Sequence, residues 1–250
     1  MNVYLDLETV PAQSPEAIDD LMRQQAIEVA GIRAPSNYKD QAKIDEYVKA
    51  KIDEINAASD ERYRKTSFDG AAGQIVCIGF AFDDEPVSVA YHTDWANSEP
   101  YLLNGFYEAL KSRFEPSRDR RPVFVGHNLV GFDLRFLYQR SVMLGIRPPI
   151  WIPITPKPWD ESVFDTMTAW SGFGNRVSLD KLCRAFGIAA KGSEIGEEID
   201  GSKVWDFVKA GRIEDVAKYC AGDIERTREI HKRLTFQSDR GVIAQVKEAA

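Results

Sequence analysis

The chain opens on a short apolar run with carboxylates set into it, Val3-Tyr4-Leu5-Asp6-Leu7-Glu8. The apolar and aromatic side chains predict a buried strand over Asn2 to Leu7, ended by Pro11. An acid inside such a strand is costly unless it is paired or bound to a cation. Asp6 and Glu8 are two apart, so their side chains leave the same face. Taken alone, Asp-x-Glu fits equally a strand end whose acids face water.

The rest of the chain alternates helix and strand signals. Ser14-Pro15-Glu16 is a helix start, with an N-cap serine and proline in the first turn. From there the chain reads as helical and strongly polar to about Ser59, broken in two over Gly31 to Asn37, a surface excursion rather than core. Gln74 to Phe82 and Val87 to Tyr91 read as a hairpin joined by Asp83-Asp84-Glu85-Pro86. Tyr101 to Phe114 has helical spacing after a Ser98 cap, and Pro122 to Val125 is a short strand. Asp133 to Leu144 is a helix closed by Gly145. Five of the twelve prolines fall in 147–160, which is therefore a loop. Ser178 caps a helix ending at Gly187, and Val204 to Ala210 and Ile213 to Leu234 are the last helices. This order indicates an α/β domain with a mixed sheet.

Composition excludes several classes. At 250 residues, 44% hydrophobic and 28% charged, the chain is neither disordered nor fibrous. The longest apolar stretch, Ile75 to Phe82, is far short of the ~20 residues of a membrane helix. The N-terminus has no basic region of a secretory signal. Cys77, Cys183 and Cys220 lack disulfide or metal-ligand spacing and read as core residues in a reducing cytosol. The net charge of −7 gives no bulk attraction to nucleic acid and, on its own, speaks against such a partner.

Two further places put acids where chemistry could use them. In Gly126-His127-Asn128-Leu129-Val130-Gly131-Phe132-Asp133, a buried strand runs into a glycine-bearing turn and an acid opens the next helix. Asp133 could simply complement the helix N-terminus, and His127 reads as a packing residue. In Tyr219-Cys220-Ala221-Gly222-Asp223, phenol and carboxylate share one helix face at i and i+4, beside the buried stripe. Gly222 costs about 1 kcal/mol there relative to alanine, which close approach of another group would explain.

Asp-x-Glu, then Asn-x4-Asp with Phe just before the acid, then Tyr-x3-Asp resembles the three motifs of the DEDD 3′–5′ exonucleases. These belong to the ribonuclease-H-like superfamily, which includes the proofreading domains of DNA polymerases. Tyr219 implies the tyrosine subclass, DEDDy, because Lys218 stands where the other subclass has histidine. The run from Gly126 to Leu137 is especially similar to the second motif of family-B polymerase proofreading domains and their stand-alone relatives. Asp165-Thr166-Met167 and Ser178 to Gly187 also sit where such domains carry a strand and a helix. The resemblance covers 2–8 and, less tightly, 74–234, but not 12–70.

The resemblance implies a ribonuclease-H-like mixed β-sheet flanked by helices, with a helical insertion after the first strand. One exonuclease domain would fill 1–250, with the insertion at about 12–70 and a tail at about 235–250. No polymerase domain is expected to follow. Asp6, Glu8, Asp133 and Asp223 would hold two divalent cations, Mg²⁺ or Mn²⁺, since four crowded carboxylates cannot all ionise uncompensated. Such ions stand about 4 Å apart in two-metal nucleases. Asp6 would bridge both, and Tyr219 would orient and help deprotonate the attacking water. The implied activity is release of 5′-mononucleotides from 3′ ends of single-stranded DNA. The alternatives are RNA at the same site or a non-catalytic nucleic-acid-binding module.

For the substrate, Leu7 and Thr9 would contact the 3′ end, while Asn128 would hold its motif or touch substrate beside Phe132. Trp151 and Trp159 in the proline-rich loop either stack bases, at ~1–3 kcal/mol each, or anchor packing. Two basic clusters, Arg62-Arg64-Lys65 and Arg118-Arg120-Arg121, either meet phosphates or are solvated. Lys191 is given no role, and the acids Glu194, Glu197, Glu198 and Asp200 read as a solvated loop. No membrane contact is expected, and the compartment is the cytoplasm.

Overall fold

The computed structural model describes residues 1–157, 160–189, 191–197 and 199–237. Its centre is a strand longer than expected, Asn2–Val10 (β1). After it come helices Pro15–Gly31 (α1), Gln41–Ala57 (α2) and Ser59–Lys65 (α3) and a 3₁₀ turn, Thr66–Phe68. Ser14 accepts from the Ala17 N–H, the capping its sequence predicts. No residue of α1, α2 or α3 is buried, as a polar excursion requires. Strands Gln74–Phe82 (β2) and Ser88–Tyr91 (β3), helix Trp95–Arg113 (α4), strand Val123–Gly126 (β4) and helix Asp133–Met143 (α5) follow. Then come strand Val163–Asp165 (β5) and helices Thr166–Ser171 (α6), Leu179–Phe186 (α7), Val204–Lys209 (α8) and Ile213–Leu234 (α9).

The five strands are ordered β3-β2-β1-β4-β5. β1 runs antiparallel to β2 and parallel to β4, which runs parallel to β5. Strand alternation sorts β1 into two sets. Val3, Leu5 and Leu7 join Phe106 and Leu110 of α4 and Leu134 and Leu137 of α5 in one core. Tyr4, Asp6, Glu8 and Val10 turn to the opposite face, where α9 crosses. The pairing with β4 ends at Tyr4, so that edge of β1 runs on past the carboxyl end of β4 while its other edge stays paired with β2 as far as Val10. This edge carries the site described below.

Two departures from the sequence expectation have clear causes. α4 begins at Trp95, and Ser98 lies inside it rather than capping it. Pro100 denies the Ala96 carbonyl its helical partner, and the Gln74 side-chain amide takes up both the Trp95 and Ala96 carbonyls instead. The helix therefore survives its proline. β5, three residues long, follows a proline-rich loop and has too little length to show a period, so only the resemblance at Asp165-Thr166-Met167 pointed to a strand there.

The pairing of β1 with β2 slips between Glu8 and Thr9: Glu8 faces Cys77, Thr9 faces Ile75, and Val76 is the extra residue of a β-bulge. Val76 and Cys77 both pack on the α9 side. Glu99 of α4 accepts from the freed Ile75 N–H at 2.8 Å and is held by a two-pronged pair with Arg140 of α5, at 2.8 and 2.7 Å. Among the described residues, no helix is long and apolar enough to cross a membrane.

Candidate active site

Asp6 and Glu8 stand side by side on the α9 face of β1, beyond the end of β4. Asp133, the first residue of α5, turns its carboxylate to the unpaired β1 edge and accepts from the Leu7 N–H at 3.0 Å. From the opposite side α9 presents Tyr219 and Asp223, one turn apart and both buried. Gly79, across from Asp6 in β2, permits this approach: a methyl group there would lie 2.6 Å from the Cys220 sulfur. The structure thus brings together the five residues of the three motifs.

The electrostatics are those of crowded acids. Burial first, then the charge of Asp223, pushes Asp6 up from 3.8 to about 7, against the pull of Lys191. Glu8 is raised well above the usual carboxylate range by burial and then by Asp6, and Asp133 likewise by burial and then Asp6. The Asp6 Oδ2 atom is buried without a hydrogen-bond partner, one of two such side-chain atoms among the described residues. Unpartnered buried carboxylate oxygen beside raised acids suits a hard divalent cation. Ligand atoms of Asp6, Glu8 and Cys220 all lie within 4.8 Å of one another. Cys220 is a free thiol rather than a thiolate, since a hydrogen bond with Cys77 and then burial raise its pKa, and its S–H donates to the Asp6 carbonyl oxygen at 3.7 Å.

The turn before Asp133 is built from inside. Asn128 takes a left-handed backbone, φ +64°, and its side-chain oxygen closes against Gly131, where a methyl group would be 2.4 Å away. Asp165, at the end of β5, accepts from the Asn128 N–H (3.0 Å), the Val130 N–H (3.2 Å) and the Met167 N–H (3.0 Å). It so ties the turn to the start of α6. His127 bonds Thr166 (3.0 Å) and the Val177 carbonyl (2.8 Å), a packing role as its sequence setting implied.

The sequence assigns Lys191 no role, although related domains often carry a lysine in this stretch. Its ammonium donates to Tyr219 Oη at 2.9 Å and to Asp223 Oδ2 at 2.5 Å, in the centre of the acids. Burial alone would lower its pKa, but pairing with Asp223 outweighs that and leaves it raised. Arg226, one turn beyond Asp223, also went unsinged by the motif pattern. It donates to Asp223 Oδ1 (3.2 Å), Glu194 Oε2 (2.5 Å) and the Ala189 carbonyl (3.0 Å). Glu194 is therefore a fixed partner of α9 and not part of a solvated loop; Glu198 lies outside the described residues. A methyl group on Gly222 would lie 2.5 Å from Arg226 and 2.7 Å from Glu194, the close approach its glycine suggested.

The expected substrate contacts fare unevenly. Trp151 is not available to stack a base: it is buried on Phe114 and Phe124, ring centroids 4.6 and 6.2 Å away. Trp159 lies outside the described residues. The Leu7 N–H is taken by Asp133, and the Thr9 hydroxyl donates to the Ser67 carbonyl at 2.8 Å. Phe132 is half-buried, with Phe68 against its edge and Phe136 beside it. Arg62, Arg64 and Lys65 pair with Glu28, with Asp60 and Asp206, and with Glu61.

Sheet order, acid placement and helix layers define an α/β nuclease-like domain. The chain belongs to the family described as "Predicted 3'-5' exonuclease related to the exonuclease domain of PolB", whose model matches residues 68–248. Among solved structures, the family B DNA polymerase from the hyperthermophilic archaeon Pyrobaculum calidifontis superimposes with a TM-score of 0.55 over 93% of this chain, at 16% identity. The chain spans 24% of that polymerase chain, and at this identity the likeness is one of fold. No curated protein matches. β1, with Asp6 and Glu8, precedes the matched residues, so its place in the site rests on the geometry above.

Proposed function

We propose that this chain is a 3′–5′ exonuclease of the tyrosine subclass that shortens single-stranded DNA from its 3′ end, releasing 5′-mononucleotides. The observation that carries this reading is the group of Asp6 and the buried Glu8, Asp133 and Asp223, with Tyr219 alongside, where three acids are raised and the buried Oδ2 of Asp6 has no hydrogen-bond partner. Asp6, Glu8, Asp133 and Asp223 would hold two divalent cations, Mg²⁺ or Mn²⁺. When bound, these supply Lewis acidity at the scissile phosphate and lower the pKa of coordinated water.

The chain's own residues set the geometry. Leu7 fixes Asp133 through its N–H, and Lys191 holds the Tyr219 hydroxyl and Asp223 at fixed separation. Burial, then Asp223, raises Tyr219. Its hydroxyl would orient the attacking water, as the resemblance implies. DNA is preferred over RNA on the likeness to polymerase proofreading domains.

The test is digestion of end-labelled single-stranded DNA and RNA with Mg²⁺, Mn²⁺ or EDTA. Stepwise loss from the 3′ end of DNA, abolished by EDTA, is the expected result. Cleavage that survives EDTA, or a 5′ label lost first, rules the reading out, and faster loss from RNA reassigns the substrate.

A further inference from the structure

The polar insertion returns to the sheet at the mouth of the acid site, and there it exposes an aromatic ring. Phe68 is 65% exposed. Its ring meets Phe132 edge-on at 6.1 Å, and Phe132 is the residue immediately before Asp133. Phe68 also lines a cleft of about 190 Å³ with Thr9, Arg64, Lys65, Ser202 and Trp205. A single exposed apolar side chain is ordinary; this one is set apart by its contact with the residue before Asp133 and by the bonds that hold its backbone beside β1.

The backbone that carries this ring is fixed from both sides. Thr9, next to Glu8, donates its hydroxyl to the Ser67 carbonyl at 2.8 Å, and the Ala12 N–H donates to Thr66 Oγ1 at 2.8 Å. Arg140 of α5 donates to the Gly70 carbonyl at 3.1 Å. Gly73 passes so close to the end of β1 that a methyl group would lie 3.0 Å from the Val10 carbonyl oxygen. The segment 66–73 is thus tied to the strand bearing Asp6 and Glu8 and to the helix bearing Asp133, while its most apolar side chain points into solvent.

We propose that Phe68 is a stacking platform for a base at the 3′ end of the substrate strand. The assignment rests on the exonuclease reading above and adds a substrate-positioning role for the insertion. An aromatic face accepts any base, because every base has a π-face, so the contact positions the strand without reading its sequence. Leucine at this place would preserve the apolar area and lose the stack.

The experiment uses the Asp6→Ala chain, which leaves the strand uncut, with single-stranded DNA carrying 2-aminopurine as its 3′-terminal base. Stacking quenches this base. Adding Phe68→Ala should abolish the quench and weaken binding about 5- to 150-fold, the range of one base–aromatic stack. Phe68→Tyr should restore both, Phe68→Leu should not, and an abasic 3′ nucleotide should erase the difference between Phe68 and alanine. Equal affinity and equal quench with alanine, or the same loss on an abasic strand, overturns the platform. If the unaltered chain still trims 3′ ends, only the platform falls. If it neither binds nor cuts any strand, the exonuclease reading falls with it.

Discussion

At the scale of single residues, Asp6 carries the conflict between folding and function. Its Oδ2 is buried without a partner, and burial with the charge of Asp223 raises its pKa to about 7. A carboxylate so placed weakens the fold unless a cation joins it. Asp6→Asn removes the charge and keeps the shape. In EDTA at pH 8 it should raise stability by roughly 1–3 kcal/mol, read as a higher melting temperature. With Mg²⁺ it should cut turnover by roughly 10³-fold, as several kcal/mol of transition-state stabilisation are lost. A variant that melts lower than the parent in EDTA would show that the carboxylate is satisfied in the fold and needs no ion. Lys191 belongs to the same balance, since it supplies a positive charge to Asp223 and Tyr219 from within the chain.

At the scale of elements, the site depends on how closely α9 lies on the sheet. Gly79 of β2 faces Asp6, and a methyl group there would meet Cys220 Sγ at 2.6 Å and Ile224 Cγ1 at 3.2 Å. Both are side chains of a packed helix with little room to retreat. Gly79→Ala should therefore cost about 1–3 kcal/mol by denaturant unfolding and lower turnover, because α9 carries Tyr219 and Asp223 outward together. Cys220→Ala in the same chain should recover part of both losses, and a strictly additive pair of effects would place the strain elsewhere. Much of this architecture was legible in the sequence. Asp6 and Glu8 stood out because they interrupt an apolar strand, and the ends of α7 followed from the Ser178 cap and Gly187. The rest depends on partners remote in sequence. The start of α4 was hidden because Pro100 ordinarily marks a boundary, and only Gln74 from another element makes it tolerable. The bulge at Val76 exists only relative to β1. Trp151 looked like a loop aromatic among prolines, yet Phe114 and Phe124 bury it. Lys191 follows the Gly187 helix end in a stretch where related domains often carry a lysine, but its partners Tyr219 and Asp223 lie far along the chain, so the sequence assigned it no role.

At the scale of the whole molecule, four of the acids behind the net charge of −7 are gathered in one site. That gathering makes stability depend on pH in an unusual direction. In the unfolded chain Asp6 titrates at the ordinary value of 3.8, and in the folded chain at about 7, with Glu8 and Asp133 raised as well. Between those values the folded state binds more protons than the unfolded one, so stability falls as pH rises. Without divalent ions the melting temperature should therefore decline from about pH 5 to pH 8, the reverse of the usual effect of salt-bridged carboxylates. Divalent ions bind the deprotonated acids and compete with those protons, so their stabilisation should grow over the same range. The checking measurement is the difference in melting temperature between Mg²⁺ and EDTA at pH 5, 6, 7 and 8. It should widen with pH and shrink toward zero at the acid end. An EDTA curve that rises toward pH 8, or a difference that stays constant, would mean that the acids are neutralised by the chain's own cations, Lys191 and Arg226, rather than held ready for metal.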